Sequence, residues 1–163
     1  MKKCLLSFFC AALLLLSSCA KKKCCDFPVY KDFILADKNG AAWNIPPSNS
    51  AIKQDTFIVS GSNTIAGTEE RFGFKIRFDG LGYYELKSNE AYYTFVKNNV
   101  TVSSYKLSLT QGSTITVFGA NESDKIIQGF FELHFTRMTS ADGPGQPDSI
   151  RFLNGKFKVR LQN

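Results

Sequence analysis

The chain has 163 residues, of which 44% are hydrophobic, so it can bury a core and is too apolar for a disordered protein. Its net charge is +6, but basic residues concentrate near the N-terminus. From Phe27 onward there are 15 basic and 13 acidic side chains, a difference of +2. This balance gives no basic surface of the kind that binds nucleic acid, and we predict no nucleic-acid partner.

The first 18 residues have the layout of an export signal. Lys2 and Lys3 precede an apolar run, Leu5 to Leu16, that is shorter than the ~20 residues needed to span a bilayer. The run ends in Leu16-Ser17-Ser18-Cys19, which resembles a lipobox, the cleavage signature of bacterial lipoproteins. We therefore predict a signal peptide over residues 1–18 and acyl chains on Cys19 that insert into a lipid bilayer.

Residues 19–28 are predicted to be a lipidated tether. Lys21, Lys22 and Lys23 could lie on anionic headgroups. Cys24 and Cys25 are adjacent, and the sequence leaves open whether they are inert or form an intermolecular disulfide. The residues after them contain no cysteine, so the domain depends on its core for stability.

Residues 29–163 are predicted to form a single all-β domain. Asn39-Gly40 is a strong hairpin signal, and residues 46–53 are polar and predicted to be a loop. Arg71 to Phe78 alternates strictly, with four apolar residues on one face. A last hairpin is expected around Asn154-Gly155. In total, eight to ten short strands at regular spacing predict an antiparallel β-sandwich or a small β-barrel.

An ordered series of short segments then resembles a known family. The series comprises the lipobox, Ala42-Trp43, Ile58 to Gly61, Gly82 to Leu86, Gly112 to Val117, Ile126 to Leu133 and Asn154 to Val159. It is similar to the uncharacterised small lipoproteins of Bacteroidota, a resemblance that implies a cell-envelope location and an all-β domain. Surface-displayed lipoproteins of these bacteria often carry acidic residues just after the lipidated Cys, where this chain has Ala20 to Lys23. We therefore expect an outer-membrane anchor that faces the periplasm.

Three tyrosines are the candidate ligand-binding or partner-binding residues. Adjacent tyrosines on a strand point to opposite faces, so one of each pair leaves the core. An outward Tyr can stack on a glycan or pack in a protein interface, or it can simply stabilise the sheet by cross-strand pairing. The candidates are Tyr83, Tyr92 and Tyr105.

The sequence contains no recognisable catalytic, metal or cofactor motif. His134 is the single histidine and is predicted to point outward, away from Leu133 and Phe135. A lone histidine is a poor catalytic candidate, and we predict neither enzymatic activity nor a cofactor. Trp43 is expected to plug one end of the core.

Two functions are compatible with these features. The first is a non-catalytic binding or interaction module, held in the envelope by its lipid and recognising an envelope protein or a glycan. The alternative is a lipocalin-like carrier of a small apolar ligand inside a barrel. The interior distinguishes them, since five phenylalanines must either interdigitate or line a void: Phe72, Phe74, Phe131, Phe135 and Phe157.

Overall fold

A computed structural model of the chain describes residues 31–140 and 146–162. The predicted signal peptide (1–18) and lipidated tether (19–28), with Cys19, lie outside the described residues. From Asp32 onward the chain forms one unit. Its strands are β1 (Phe33–Lys38), β2 (Ala41–Ile45), β3 (Pro47–Lys53), β4 (Thr56–Ile65), β5 (Thr68–Arg77), β6 (Gly82–Glu85), β7 (Ala91–Lys97), β8 (Val100–Leu107), β9 (Thr114–Asn121), β10 (Ile126–Ser140) and β11 (Ser149–Arg160).

The eleven strands belong to one antiparallel sheet, which confirms the predicted all-β class. Its main path runs β2-β1-β11-β10-β8-β7-β5-β4-β3, and β6 and β9 branch from β10. The two end strands of this path, β2 and β3, are joined by a single residue, Pro46. The sheet must therefore curl back on itself until its two ends meet. The end of β11 is tied to β3 as well, because the Gln162 backbone N–H donates to the Ser50 carbonyl at 2.7 Å.

Strand alternation places one face of the sheet in the core. On β5, Phe72, Phe74 and Ile76 are buried, whereas Arg71 and Lys75 are exposed. The same period of two continues on other strands, so apolar residues from most strands meet in one cluster. Trp43 contributes to this cluster and is 7% exposed, as expected for a residue that plugs the core.

Residues 46–53 are not the predicted loop. Pro47 to Lys53 forms β3, which pairs with β4 along its length. The polar, proline-containing composition of this segment does not exclude a strand. Strand β3 lies at the end of the main path, and Pro is tolerated as the first residue of such a strand. Ser50 and Ala51 are buried there, so the segment also contributes to the interior.

The two Asn-Gly pairs have different structures. Asn39 and Gly40 have positive φ values of 51° and 84° and close the β1–β2 hairpin, as predicted. The second predicted hairpin is wrong, because Asn154 and Gly155 lie within the continuous strand β11. There β11 has one residue more than β10 between two paired positions, so Asn154, with φ 52°, forms a β-bulge.

Strand β10 is long enough to pair with two strands on one side. Its first half, up to Glu132, pairs with β9, and its second half, from Phe135, pairs with β8. Strand β9 in turn pairs with β6. The branch formed by β9 and β6 therefore extends the outer surface next to β10, and Ile115 and Val117 of β9 fill the core beneath it.

Candidate functional site

The three candidate tyrosines occupy different environments. Tyr83 on β6 is 68% exposed, Tyr92 on β7 is 44% exposed, and Tyr105 on β8 is 2% exposed. Strand β6 pairs with β9, whereas β7 pairs with β5 and β8. The structure therefore does not assemble the three side chains into one surface.

Tyr105 belongs to the interior. Its ring packs against Tyr93 at a centroid distance of 5.8 Å, and its hydroxyl donates to the carbonyl oxygen of Pro147 at 3.0 Å. The residue lies on the inward face of β8 together with Leu107. Its ring and hydroxyl thus stabilise the core and are not presented to a partner.

Tyr92 lies flat against the outside of the sheet. A Cβ placed on Gly73 would come within 2.6 Å of the Tyr92 ring, so the ring covers the backbone of β5. Burial of the phenol raises the pKa of Tyr92, while a hydrogen bond with Ser60 opposes the shift. Covering a strand glycine with an aromatic ring is a recognised way to stabilise a sheet, so Tyr92 has a structural role.

The five phenylalanines that distinguish the two functions pack among aromatic rings. Phe72 contacts Phe131 at 5.5 Å, and Phe74 contacts Phe157 at 5.4 Å between ring centroids. Phe135 packs against Phe152 at 5.8 Å. All five are at most 2% exposed. At these separations the rings interdigitate edge to face or tilted, the arrangement of a packed aromatic core.

A buried polar cluster lies at the Trp43 end of this core. The Glu70 carboxylate, on β5, accepts hydrogen bonds from the Trp43 indole at 2.8 Å, the Lys38 ammonium at 2.9 Å and the Tyr93 hydroxyl. The Lys38 ammonium also lies 5.5 Å from the centre of the Tyr93 ring. Burial and then the hydrogen bond to Glu70 raise the pKa of Tyr93. Through its Oε1 atom, the carboxylate joins β5 to β1, β2 and β7.

Neighbouring acidic residues do not form a metal site. Glu69 and Glu70 point to opposite faces of β5, since Glu70 is buried and Glu69 pairs with Arg71 on the outside at 2.6 Å. The Arg71 hydrogen bond lowers the pKa of Glu69. Within residues 31–140 and 146–162, no group of three or more His, Cys, Asp or Glu side chains is placed to hold a metal ion.

His134 is half-buried, although it lies on the outward side of β10. Its backbone N–H donates to the Ser113 hydroxyl at 3.0 Å, and its carbonyl accepts from the Ser108 N–H at 2.7 Å. The ring nitrogen Nδ1 is buried and has no hydrogen-bond partner. The residue sits where β8 and β9 separate along β10, and the segment between these strands contacts its backbone.

The outside of the sheet carries an aromatic surface that our sequence analysis did not identify. Phe118 on β9 and Phe130 on β10 are 48% and 46% exposed, and their rings stack at 4.6 Å. Tyr83 adjoins them, because it pairs with Thr116, which pairs with Phe130. On the other side, Lys156 separates Phe130 from the exposed Leu35. We define the outer aromatic face as Phe33, Leu35, Tyr83, Phe118, Phe130, Lys156 and Lys158.

A sequence signal for this surface did exist. Phe130 and Phe131 are adjacent, so only one of them can point into the core. The inward positions Phe131, Leu133 and Phe135 assign Phe130 to the outside. The alternation that predicts the core therefore also indicates an exposed ring at Phe130.

No family model, curated protein or solved structure matches the chain. The resemblance to small Bacteroidota lipoproteins stays a prediction. Among the described residues, no helix is long and apolar enough to cross a membrane.

Proposed function

We propose that this protein is a lipid-anchored module of the cell envelope that binds its partner through the outer aromatic face. The observation that carries the proposal is the stacked pair Phe118 and Phe130, two phenylalanines that are each about half exposed. Large apolar side chains grouped on an otherwise soluble domain are typical of an interaction surface. Tyr83 extends the group with a ring that has a polar tip.

The packed interior supports binding on the outside. A carrier needs an apolar cavity of roughly 300 Å³ or more, and the five phenylalanines expected to line such a cavity contact other rings instead. These five residues therefore give no support to the lipocalin-like alternative. The buried carboxylate of Glu70 is likewise occupied by structural hydrogen bonds, and we propose no catalytic role for it.

The anchor is the second component of the proposal. Leu16-Ser17-Ser18-Cys19 supplies the cleavage signature and the thiol for acylation. Several acyl chains hold a protein on a membrane far more tightly than one chain does. We propose that Cys19 attaches the protein to the outer membrane on its periplasmic side, where its partner is part of the envelope.

If acyl chains on Cys19 hold the protein on the membrane, replacing Cys19 should change the fraction in which the protein is recovered. Cys19→Ala removes the acylated thiol, so the protein should disappear from the washed membrane pellet. Cys24→Ala, five residues further on, is the matched control and should remain in the pellet as the unmodified protein does. The measurement is the amount of protein in membrane and soluble fractions. Equal recovery of Cys19→Ala and unmodified protein in the pellet would contradict the anchor.

A further inference from the structure

The outer aromatic face lies on the strand that follows the tether. Phe33 and Leu35 belong to β1, and Phe33 is 14 residues after Cys19 (33 − 19). Fully extended, 14 residues span about 50 Å at 3.3–3.6 Å per residue. An acylated Cys19 would keep the domain within this distance of the bilayer, so the bilayer surface is present at a high effective concentration.

Apolar and basic side chains alternate across this face. One row crosses three strands as Phe130, Lys156 and Leu35, and the next row crosses them as Gln128, Lys158 and Phe33. Paired side chains in such rows stand side by side on the sheet surface. Ammonium groups among half-exposed apolar side chains are complementary to a membrane interface, where phosphates lie directly above hydrocarbon.

Most acidic groups near this face lie along one edge of it. Glu132 follows Phe130 on the outside of β10 and borders a shallow depression with Asn154 and Lys156. Asp32 lies before β1 and accepts a hydrogen bond from the Arg160 N–H at 3.2 Å. Asp37 and Glu85 lie on the outward sides of β1 and β6, two residues beyond Leu35 and Tyr83. These two carboxylates and Glu132 border one edge of the face, whereas Lys156, Lys158 and the exposed Arg160 lie toward Phe33. The tether that precedes β1 carries Lys21 to Lys23.

The surface around Tyr92 has a different character. There, Arg71 and Glu69 form an ion pair at 2.6 Å, and the Tyr92 ring is laid over Gly73. Here Arg71 is paired with a carboxylate, and the aromatic ring covers the sheet. It provides a natural reference for any measurement on the outer aromatic face, since Tyr92 and Phe130 are 44% and 46% exposed.

We propose that the outer aromatic face docks on the anionic phospholipid surface of the membrane that holds Cys19. The inference rests on the proposed anchor and names the partner of the proposed binding surface. Phe33, Phe118 and Phe130 enter the interface between headgroups and acyl chains, while Lys156 and Lys158 lie beside lipid phosphates. The domain is thereby held against the bilayer in one orientation.

The test compares two tryptophan variants of the mature, lipidated protein. Phe130→Trp and Tyr92→Trp are each reconstituted into vesicles of phosphatidylcholine and phosphatidylglycerol that carry bromine on the acyl chains. Bromine quenches tryptophan at close range, and the buried Trp43 contributes equally to both variants. If the outer aromatic face enters the interface between headgroups and acyl chains, the fluorescence of the tryptophan introduced at position 130 should fall roughly twofold or more. The fluorescence of the tryptophan introduced at position 92 should fall little.

The outcomes separate docking from anchoring. If the protein is not recovered with the floated vesicles, the anchor is wrong and the docking inference fails with it. If the protein is recovered but both positions are quenched equally, the anchor stands and docking is overturned, which leaves the face to a protein or glycan partner. Vesicles of phosphatidylcholine alone should reduce the quenching at position 130. Unchanged quenching there would overturn the role assigned to anionic lipid.

Discussion

At the scale of single residues, Glu70 has the most demanding environment of the described acidic side chains. It is 6% exposed, and its carboxylate accepts hydrogen bonds from Trp43, Lys38 and Tyr93. Burying a carboxylate is costly unless hydrogen bonds and an opposite charge compensate, and both are provided here. The same alternation that buries Phe72 and Phe74 also assigns Glu70 to the inside. Its three partners come from distant positions in the chain, so the sequence could not reveal them.

We expect Tyr93 to make the free energy of unfolding depend on pH in the alkaline range. Its pKa is raised in the folded protein by burial and by Glu70. Folding therefore favours the neutral phenol. Its contribution to the stability of the folded state is complete below the pKa of tyrosine in the unfolded chain, about 10, and is lost as the pH rises above that value. Tyr93→Phe should be less stable at pH 7 by about 1–3 kcal/mol, because Glu70 loses a donor. Between pH 9 and pH 11, the free energy of unfolding should fall less for Tyr93→Phe than for the unmodified protein.

Urea unfolding followed by Trp43 fluorescence at several pH values measures both effects. Tyr83→Phe is the control, because Tyr83 is 68% exposed and its change at pH 7 should stay within about 0.5 kcal/mol. If the stability of Tyr93→Phe and of the unmodified protein falls equally with rising pH, Tyr93 is not the cause of the pH dependence.

At the scale of elements, the two Asn-Gly pairs show what local sequence can predict. Asn39-Gly40 lies between strands that pair directly with each other, and it forms the expected hairpin. Asn154-Gly155 has the same local preference, but β11 pairs with β10 on one side and with β1 on the other, both before and after this position. Pairing with these neighbours overrides the turn and converts it into a bulge. The local signal marked a backbone irregularity, and the neighbouring strands determined its type.

Glycines on the strands are required where a ring occupies the place of a side chain. A Cβ on Gly129 of β10 would meet the Thr116 carbonyl oxygen and would lie 2.6 Å from the Phe157 ring. Gly129→Ala should therefore destabilise the protein by about 1–3 kcal/mol through overpacking. Gly112→Ala is the matched control, because nothing lies within 4 Å of a Cβ at that position. Thermal unfolding of both variants measures the difference, and similar melting temperatures would argue against the packing around Phe157.

At the scale of the whole molecule, the sequence predicted the fold class and the interior but not the assembly. The inward residues follow from alternation within each strand, as on β5. The closure of the sheet at Pro46 depends on pairings between strands distant in sequence, such as β1 with β11. The outer aromatic face has the same origin, because Phe33 and Lys158 are adjacent only after β1 and β11 pair. Local patterns carry no information about such partners.

Phe131 distinguishes a domain that is solid inside and binds from outside from a domain that holds a ligand in its interior. Phe131 is 1% exposed among aromatic rings, whereas Phe130 is 46% exposed. Chemical unfolding of Phe131→Ala should show a loss of about 3–5 kcal/mol, because a packed core cannot refill the space of a ring. Phe130→Ala should lose about 1 kcal/mol or less, mainly from its stacking on Phe118. A Phe131→Ala variant as stable as Phe130→Ala would indicate an interior with room for a ligand and would contradict a solid core.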